Sequence, residues 1–116
     1  MITGIGLDII EIKRIQQTVE RQPKLIKRVL TVNEQDELAA LTGSRSVEFI
    51  AGRFAAKEAF AKANGTGIGH DLSFQDIEIS KDENGKPFFS KPYGVNAHLS
   101  ITHSREYAAA QVVIEK

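Results

Sequence analysis

VEFIAGRFAAKEAFAKA, residues 47–63, is the stretch on which the fold turns. Ser46 offers an N-capping hydroxyl ahead of it, and Asn64-Gly65 suits its C-terminal cap, so the spacing predicts one long helix. At about 100° per residue, Val47, Ala51, Phe54 and Glu58 share a narrow arc with Lys62 beside them. Phe49, Ala56 and Phe60 form a second apolar stripe on the opposite side. A helix that is apolar on two faces belongs inside a core or an oligomer. Glu58 and Lys62 continue an apolar stripe instead of lying on a wet face. As an isolated i,i+4 pair they would be worth only a few tenths of a kcal/mol.

A second carboxylate changes that reading. GIGLDIIEI, residues 4–12, has the look of a buried strand, yet Asp8 stands near its centre. Alternation puts Gly4, Gly6, Asp8 and Ile10 on one face and Ile5, Leu7, Ile9 and Glu11 on the other. A carboxylate in such a run is costly to desolvate unless something pairs with it. Two carboxylates in apolar settings could together ligate a hard cation such as Mg²⁺. The glycines on the Asp8 face would admit a ligand or another backbone at close range.

The remaining elements follow from punctuation. Residues 11–21 turn amphipathic, with Ile12, Ile15 and Val19 at helical spacing, and Pro23 ends that helix. KLIKRVL (24–30) is a short apolar turn. Thr31 and Glu34 have the spacing of a capping box opening NEQDELAAL (33–41). The second half reads as strands: DIEISK (76–81), a hairpin turning at Asn84-Gly85, AHLSITHS (97–104) and EYAAAQVVIEK (106–116). Early helices and late strands predict an α+β fold, an antiparallel sheet with a long central helix, in a single domain spanning 1–116. Strand order is not legible.

Composition narrows the class. Lys and Arg total 15, Asp and Glu total 15, and there is no cysteine. No disulfide framework or thiolate metal site is available. No apolar run reaches the roughly 18 residues of a membrane span, and the start lacks a signal-peptide pattern, so a cytoplasmic protein is expected. Zero net charge gives no global attraction for nucleic acid. Locally, Lys13, Arg14, Arg21, Lys24, Lys27 and Arg28 face only Glu20 between positions 13 and 28. A nucleic-acid role for that patch is weakened by the absence of interleaved aromatics.

Two further motifs are ambiguous as they stand. NGTGIG (64–69) follows a helix and has the wrong spacing for a dinucleotide fingerprint, though glycine-rich backbone can form an anion-binding nest. HLSITHS (98–104) sends Ser100 and His103 to opposite faces, which argues against a serine–histidine hydrolase. His103 reads equally as a packed strand histidine or a phosphate contact.

GIGLDIIEIKRI, RFAAKEAFAKANGTGIG, NGKPFF and LSITHSREYAAAQVVIE, taken together, resemble the successive motifs of bacterial holo-acyl-carrier-protein synthase, the small type of 4′-phosphopantetheinyl transferase. The resemblance runs from Gly4 to Glu115. It implies transfer of phosphopantetheine from coenzyme A to a serine of apo acyl carrier protein, with release of adenosine 3′,5′-bisphosphate. It implies Asp8 and Glu58 as Mg²⁺ ligands, Mn²⁺ being equally suited to oxygen donors. It places Lys57 and Lys62 at the phosphates. Gly65, Gly67, Asn84, Gly85 and Pro87 would line the cofactor cleft, with Thr102 and His103 near the nucleotide. Glu58 is the candidate acceptor of the serine proton. Arg14, Arg21, Lys24 and Arg28 would dock the acidic carrier protein, and a homotrimer with active sites at subunit boundaries is expected. A non-catalytic carrier- or nucleotide-binding module on the same fold is the competing expectation.

Overall fold

In the computed structural model, which describes all 116 residues, the chain opens with strand β1 (Ile2–Glu11) running directly into helix α1 (Ile12–Arg21). Helices α2 (Lys24–Val29), α3 (Val32–Ala39) and α4 (Ser44–Asn64) follow. A short 3₁₀ turn (Phe74–Asp76) leads to β2 (Glu78–Lys81), β3 (Pro87–Lys91), β4 (Asn96–His103) and β5 (Tyr107–Glu115). The capping box at Thr31 and Glu34 forms as its spacing predicts. The long helix begins three residues earlier than expected: Ser46 is inside it, its hydroxyl donating back to the Gly43 carbonyl. It ends at Gly65, whose φ of 84° is a left-handed cap.

The strands divide into two antiparallel sheets, one of order β1-β5-β4 and one pairing β2 with β3. In the larger sheet the first strand of the chain pairs with the last, Ile5 opposite Val113 and Asp8 opposite Ala110. Helix α4 crosses the inner face of that sheet. Ala55, Ala56, Ala59, Phe60 and Ala63 are buried there against Ala110, Val112 and Ile114. A smaller apolar cluster joins α1, α2 and the start of α4 through Ile15, Val29, Leu30 and Ile50.

Gly4 and Gly6 show how closely β1 and α4 meet. A Cβ on Gly4 would lie 1.9 Å from the Ala63 carbonyl oxygen, and one on Gly6 would lie 1.8 Å from that of Ala59. Only hydrogen fits between the two backbones at those positions. What the glycines admit is therefore the backbone of α4. The same face of β1 carries Asp8 one step further on.

Candidate active site

Asp8 and α4 meet at the end of that backbone crossing. Lys62 Nζ donates to Asp8 Oδ1 at 3.1 Å and to the Leu7 carbonyl at 3.0 Å. The ion pair thus joins helix to strand, while Glu58, one turn back, is left free of it. Asp8, Glu58, Arg14, Thr18, Leu25 and Phe54 are among the residues lining one cavity of about 530 Å³. Burial raises the Glu58 carboxyl pKa above its ordinary value, Asp8's negative charge adds to this, and Lys62 opposes it. Asp8, Glu11 and Glu58 against Arg14 and Lys62 leave this region with excess negative charge. That donor set, all oxygen and partly uncompensated, fits a hard divalent cation. No third His, Asp or Glu joins the cluster. Two protein carboxylates with the other positions left to water and phosphate is the usual manner of Mg²⁺.

Lys57, expected at the phosphates, is elsewhere. Its side chain is fully buried, and Nζ donates to the Val29 carbonyl and Glu34 Oε1 at 2.6 Å each and to the Phe74 carbonyl at 3.1 Å. All three ammonium protons are spent, so none is left for a ligand. Burial pushes this ammonium's pKa down, and Glu34 pushes it back up. Glu34 serves two structures at once: it closes the capping box on Thr31 and is the counter-ion of Lys57. The motif that reads as K-E is one core lysine followed by one site glutamate.

The glycine loop spends its amides within the chain. The amides of Gly65, Thr66 and Gly67 donate to the Lys62 or Ala61 carbonyls, and that of Gly69 donates to the Leu72 carbonyl. These N–H groups cap α4 and close the loop, so they do not form an open anion nest.

Gly85, Pro87 and His103 do come together, in a second cavity of about 310 Å³ that also includes Arg45, Arg53 and Lys81. Asn84 is exposed at the hairpin turn, its backbone N–H donating to Asp82 Oδ1, and does not line this cavity. Thr102 does not reach it either, because alternation turns it to the outer face of β4 while His103 faces α4. No residue lines both this cavity and that of Asp8 and Glu58. On α4, Phe49 of the cationic cavity lies about 180° around the helix from Glu58.

The basic patch is solvent-exposed along α1 and α2: Arg14, Arg21, Lys24 and Arg28 are all exposed, and none is in an ion pair. Arg14 reaches the rim of the Asp8–Glu58 cavity, so the positive face abuts the carboxylates directly.

Residues 4–112 match the family model described as the 4′-phosphopantetheinyl transferase superfamily. The chain belongs to this superfamily. Within it, the chain is 63% identical to the holo-[acyl-carrier-protein] synthase of Bacillus pumilus, covering the whole chain and 98% of that protein. The enzyme of the same name from Bacillus subtilis is 59% identical over the same shares. Among solved structures, a holo-(acyl-carrier-protein) synthase from Bacillus anthracis, in complex with CoA (3′,5′-ADP), superposes with a TM-score of 0.94 at 53% identity. The match covers 99% of this chain and 97% of that one. The Neisseria meningitidis synthase gives 0.91 at 38% identity over the full length of both. The chain is thus a holo-acyl-carrier-protein synthase by family, with the α+β fold expected of one.

Sequence reading missed Arg45, Arg53 and Lys81. Arg53 is 3% exposed, stacks 4.4 Å from the Phe49 ring centre and lies 3.4 Å from Glu37. Its Nε has no hydrogen-bond partner. The sequence carried a faint signal for it: an arginine in an otherwise apolar helix stretch, FIAGRFAA, has to be held by something.

Proposed function

We propose that this protein transfers the 4′-phosphopantetheine group of coenzyme A to a serine hydroxyl of apo acyl carrier protein, releasing adenosine 3′,5′-bisphosphate. The observation that carries the reading is the convergence of Asp8, Glu58 and Lys62 where β1 crosses α4. In the transfer, the serine oxygen bonds to the phosphorus that bears pantetheine. The bond from that phosphorus to the bridging diphosphate oxygen breaks, and the leaving bisphosphate takes the bridging electrons. Such reactions depend mainly on positioning and charge neutralisation. Lys62 neutralises phosphate oxygens. Glu58 accepts the serine proton, and its raised pKa makes it a stronger base than an ordinary carboxylate. Asp8 and Glu58 would hold Mg²⁺, which when bound draws charge off the diphosphate.

The cavity of Arg45, Arg53, Lys81 and His103 takes the nucleotide end of coenzyme A. It belongs to a neighbouring copy of the chain, because one chain keeps its carboxylate and cationic cavities apart. The outer face of β1 supports a homotrimer: Ile5, Leu7 and Ile9 are 61%, 62% and 65% exposed in a single chain, an apolar stripe that a second copy would cover. The Arg14–Arg28 face docks the acidic carrier protein, where opposite charge raises encounter rates and sets orientation. These roles place the protein in the cytoplasm, in fatty acid biosynthesis.

Intact-mass spectrometry tests the reaction directly. Apo acyl carrier protein incubated with this protein, coenzyme A and Mg²⁺ should gain one phosphopantetheine, and a chelator should abolish the gain. No gain with several carrier proteins, from a chain shown to be assembled, would leave a binding module in its place.

A further inference from the structure

Glu48 is the one acid lining a cavity whose other charged residues are Arg45, Arg53, Lys81 and His103. Its position follows from how α4 meets β4. Gly52 brings the helix close to the strand, with the Ile101 side chain 3.4 Å from where a Cβ on Gly52 would lie. Glu48 is one turn before Gly52, and His103 is two residues after Ile101 on the same strand face. The second pair therefore meets wherever the first does, and Glu48 Oε2 stands 3.2 Å from His103 Nδ1. The carboxylate is mostly covered, while the ring is about half exposed.

A cavity built only to attract anions would gain by losing this carboxylate. We propose that Glu48 is a positioning residue, holding the His103 imidazole by Nδ1 so that Nε2 is presented to a phosphate of the nucleotide end of coenzyme A. The proposal rests on the reading that this cavity receives that end. A carboxylate on Nδ1 fixes the ring orientation and the proton on that nitrogen. With Nδ1–H held by the carboxylate, Nε2 is aimed outward, and a proton on it would make a charge-assisted hydrogen bond to an arriving phosphate. Glu48 also borders the adjoining cleft of Lys13, Ser44, Arg105 and Tyr107, so it sits in the wall between two openings.

The sign of one substitution separates the two views. With the assembled enzyme, Glu48→Gln should raise the KM for coenzyme A about fivefold and weaken adenosine 3′,5′-bisphosphate, titrated calorimetrically, by a similar factor. The KM for carrier protein should stay within twofold, which a general loss of structure would not respect. His103→Ala should raise the coenzyme A KM at least as much, and adding Glu48→Gln to it should change nothing more. Tighter bisphosphate binding in Glu48→Gln, or full additivity with His103→Ala, would overturn the proposal. If Arg45→Ala and Lys81→Ala weaken the bisphosphate but His103→Ala does not, the cavity reading stands and Glu48 loses its role. If none of the three weakens it, the cavity reading falls and the proposal with it.

Discussion

The two cavities on either side of α4 are opposite in charge and in how that charge is held. On one side, Asp8 and Glu58 are left partly uncompensated, with Lys62 paired to Asp8 and Arg14 at the rim. On the other, Arg45, Arg53, Lys81 and His103 meet one carboxylate, Glu48, and Arg53 is braced by Glu37 and Phe49. The first arrangement stores repulsion that a bound cation would relieve. The second gathers positive charge around a single lining acid. A polyanionic substrate such as coenzyme A can use both, but at separated points, and one helix lies between those points in a single chain.

The largest test breaks the negative side. Asp8→Asn or Glu58→Gln should reduce turnover roughly 10³-fold, equivalent to about 4 kcal/mol of transition-state stabilisation, with the fold intact. A rate near normal at limiting Mg²⁺, followed by mass spectrometry, would remove the metal role from that cavity. Mixing then sharpens the comparison. Glu58→Gln and a double variant, Arg45→Ala with His103→Ala, should each be inactive as purified. Co-expressed, they should recover about a quarter of normal activity, since random assembly gives that share of sites two intact halves. No recovery in verified mixed oligomers would place both halves of the site on one chain.

Lys57 and Lys62 make the same contrast five residues apart. Lys57→Met takes from the buried Glu34 carboxylate its closer cation, leaving Arg53 at 3.7 Å, and should cost about 3 kcal/mol in urea denaturation. Lys62→Met removes an ion pair that is half exposed on the lysine side, so stability should move by less than about 1 kcal/mol while activity falls. A reversed order would mean that the buried network is not what anchors α4. Smaller again, Arg14→Glu with Arg21→Glu should raise the KM for carrier protein about tenfold and leave that for coenzyme A alone.

The smallest effect concerns Glu58 itself. Its pKa is raised in the folded chain, chiefly by burial and then by Asp8. The folded state therefore keeps a proton that the unfolded state has lost, and stability falls as pH rises from 4.5 through the raised value. Without added metal, Glu58→Gln should flatten that slope and raise Tm slightly at neutral pH. With solvent screening the gain is about 0.5 kcal/mol, or a few degrees. A lower Tm would show that the Glu58 carboxylate is stabilising as it stands.

How much of this was legible can be argued residue by residue. Helical spacing placed Glu58 and Lys62 on one arc, and strand alternation placed Asp8 with Gly4 and Gly6, because both depend only on local periodicity. The Thr31–Glu34 box was readable for the same reason. Lys57, which the family resemblance sets at the phosphates, is a core residue because its three acceptors come from Val29, Glu34 and Phe74, far away in sequence. The glycines of 65–69 stayed ambiguous because composition does not say which carbonyls their amides find. Arg53, Arg45 and Lys81 were missed because a cavity between a helix and a distant hairpin has no local spacing.

By itself, then, the sequence determined most of the elements, though not helix α2, which reads as a turn, together with the α+β class and the family, and it singled out Asp8, Glu58 and Lys62 from local periodicity. Tertiary structure alone decided that β1 touches α4 backbone to backbone at Gly4 and Gly6, that Lys57 is a core residue, and that cations gather around Glu48 and His103. Those facts depend on long-range packing, where the acceptor of a proton or the wall of a cavity is supplied by a part of the chain that no local period can identify.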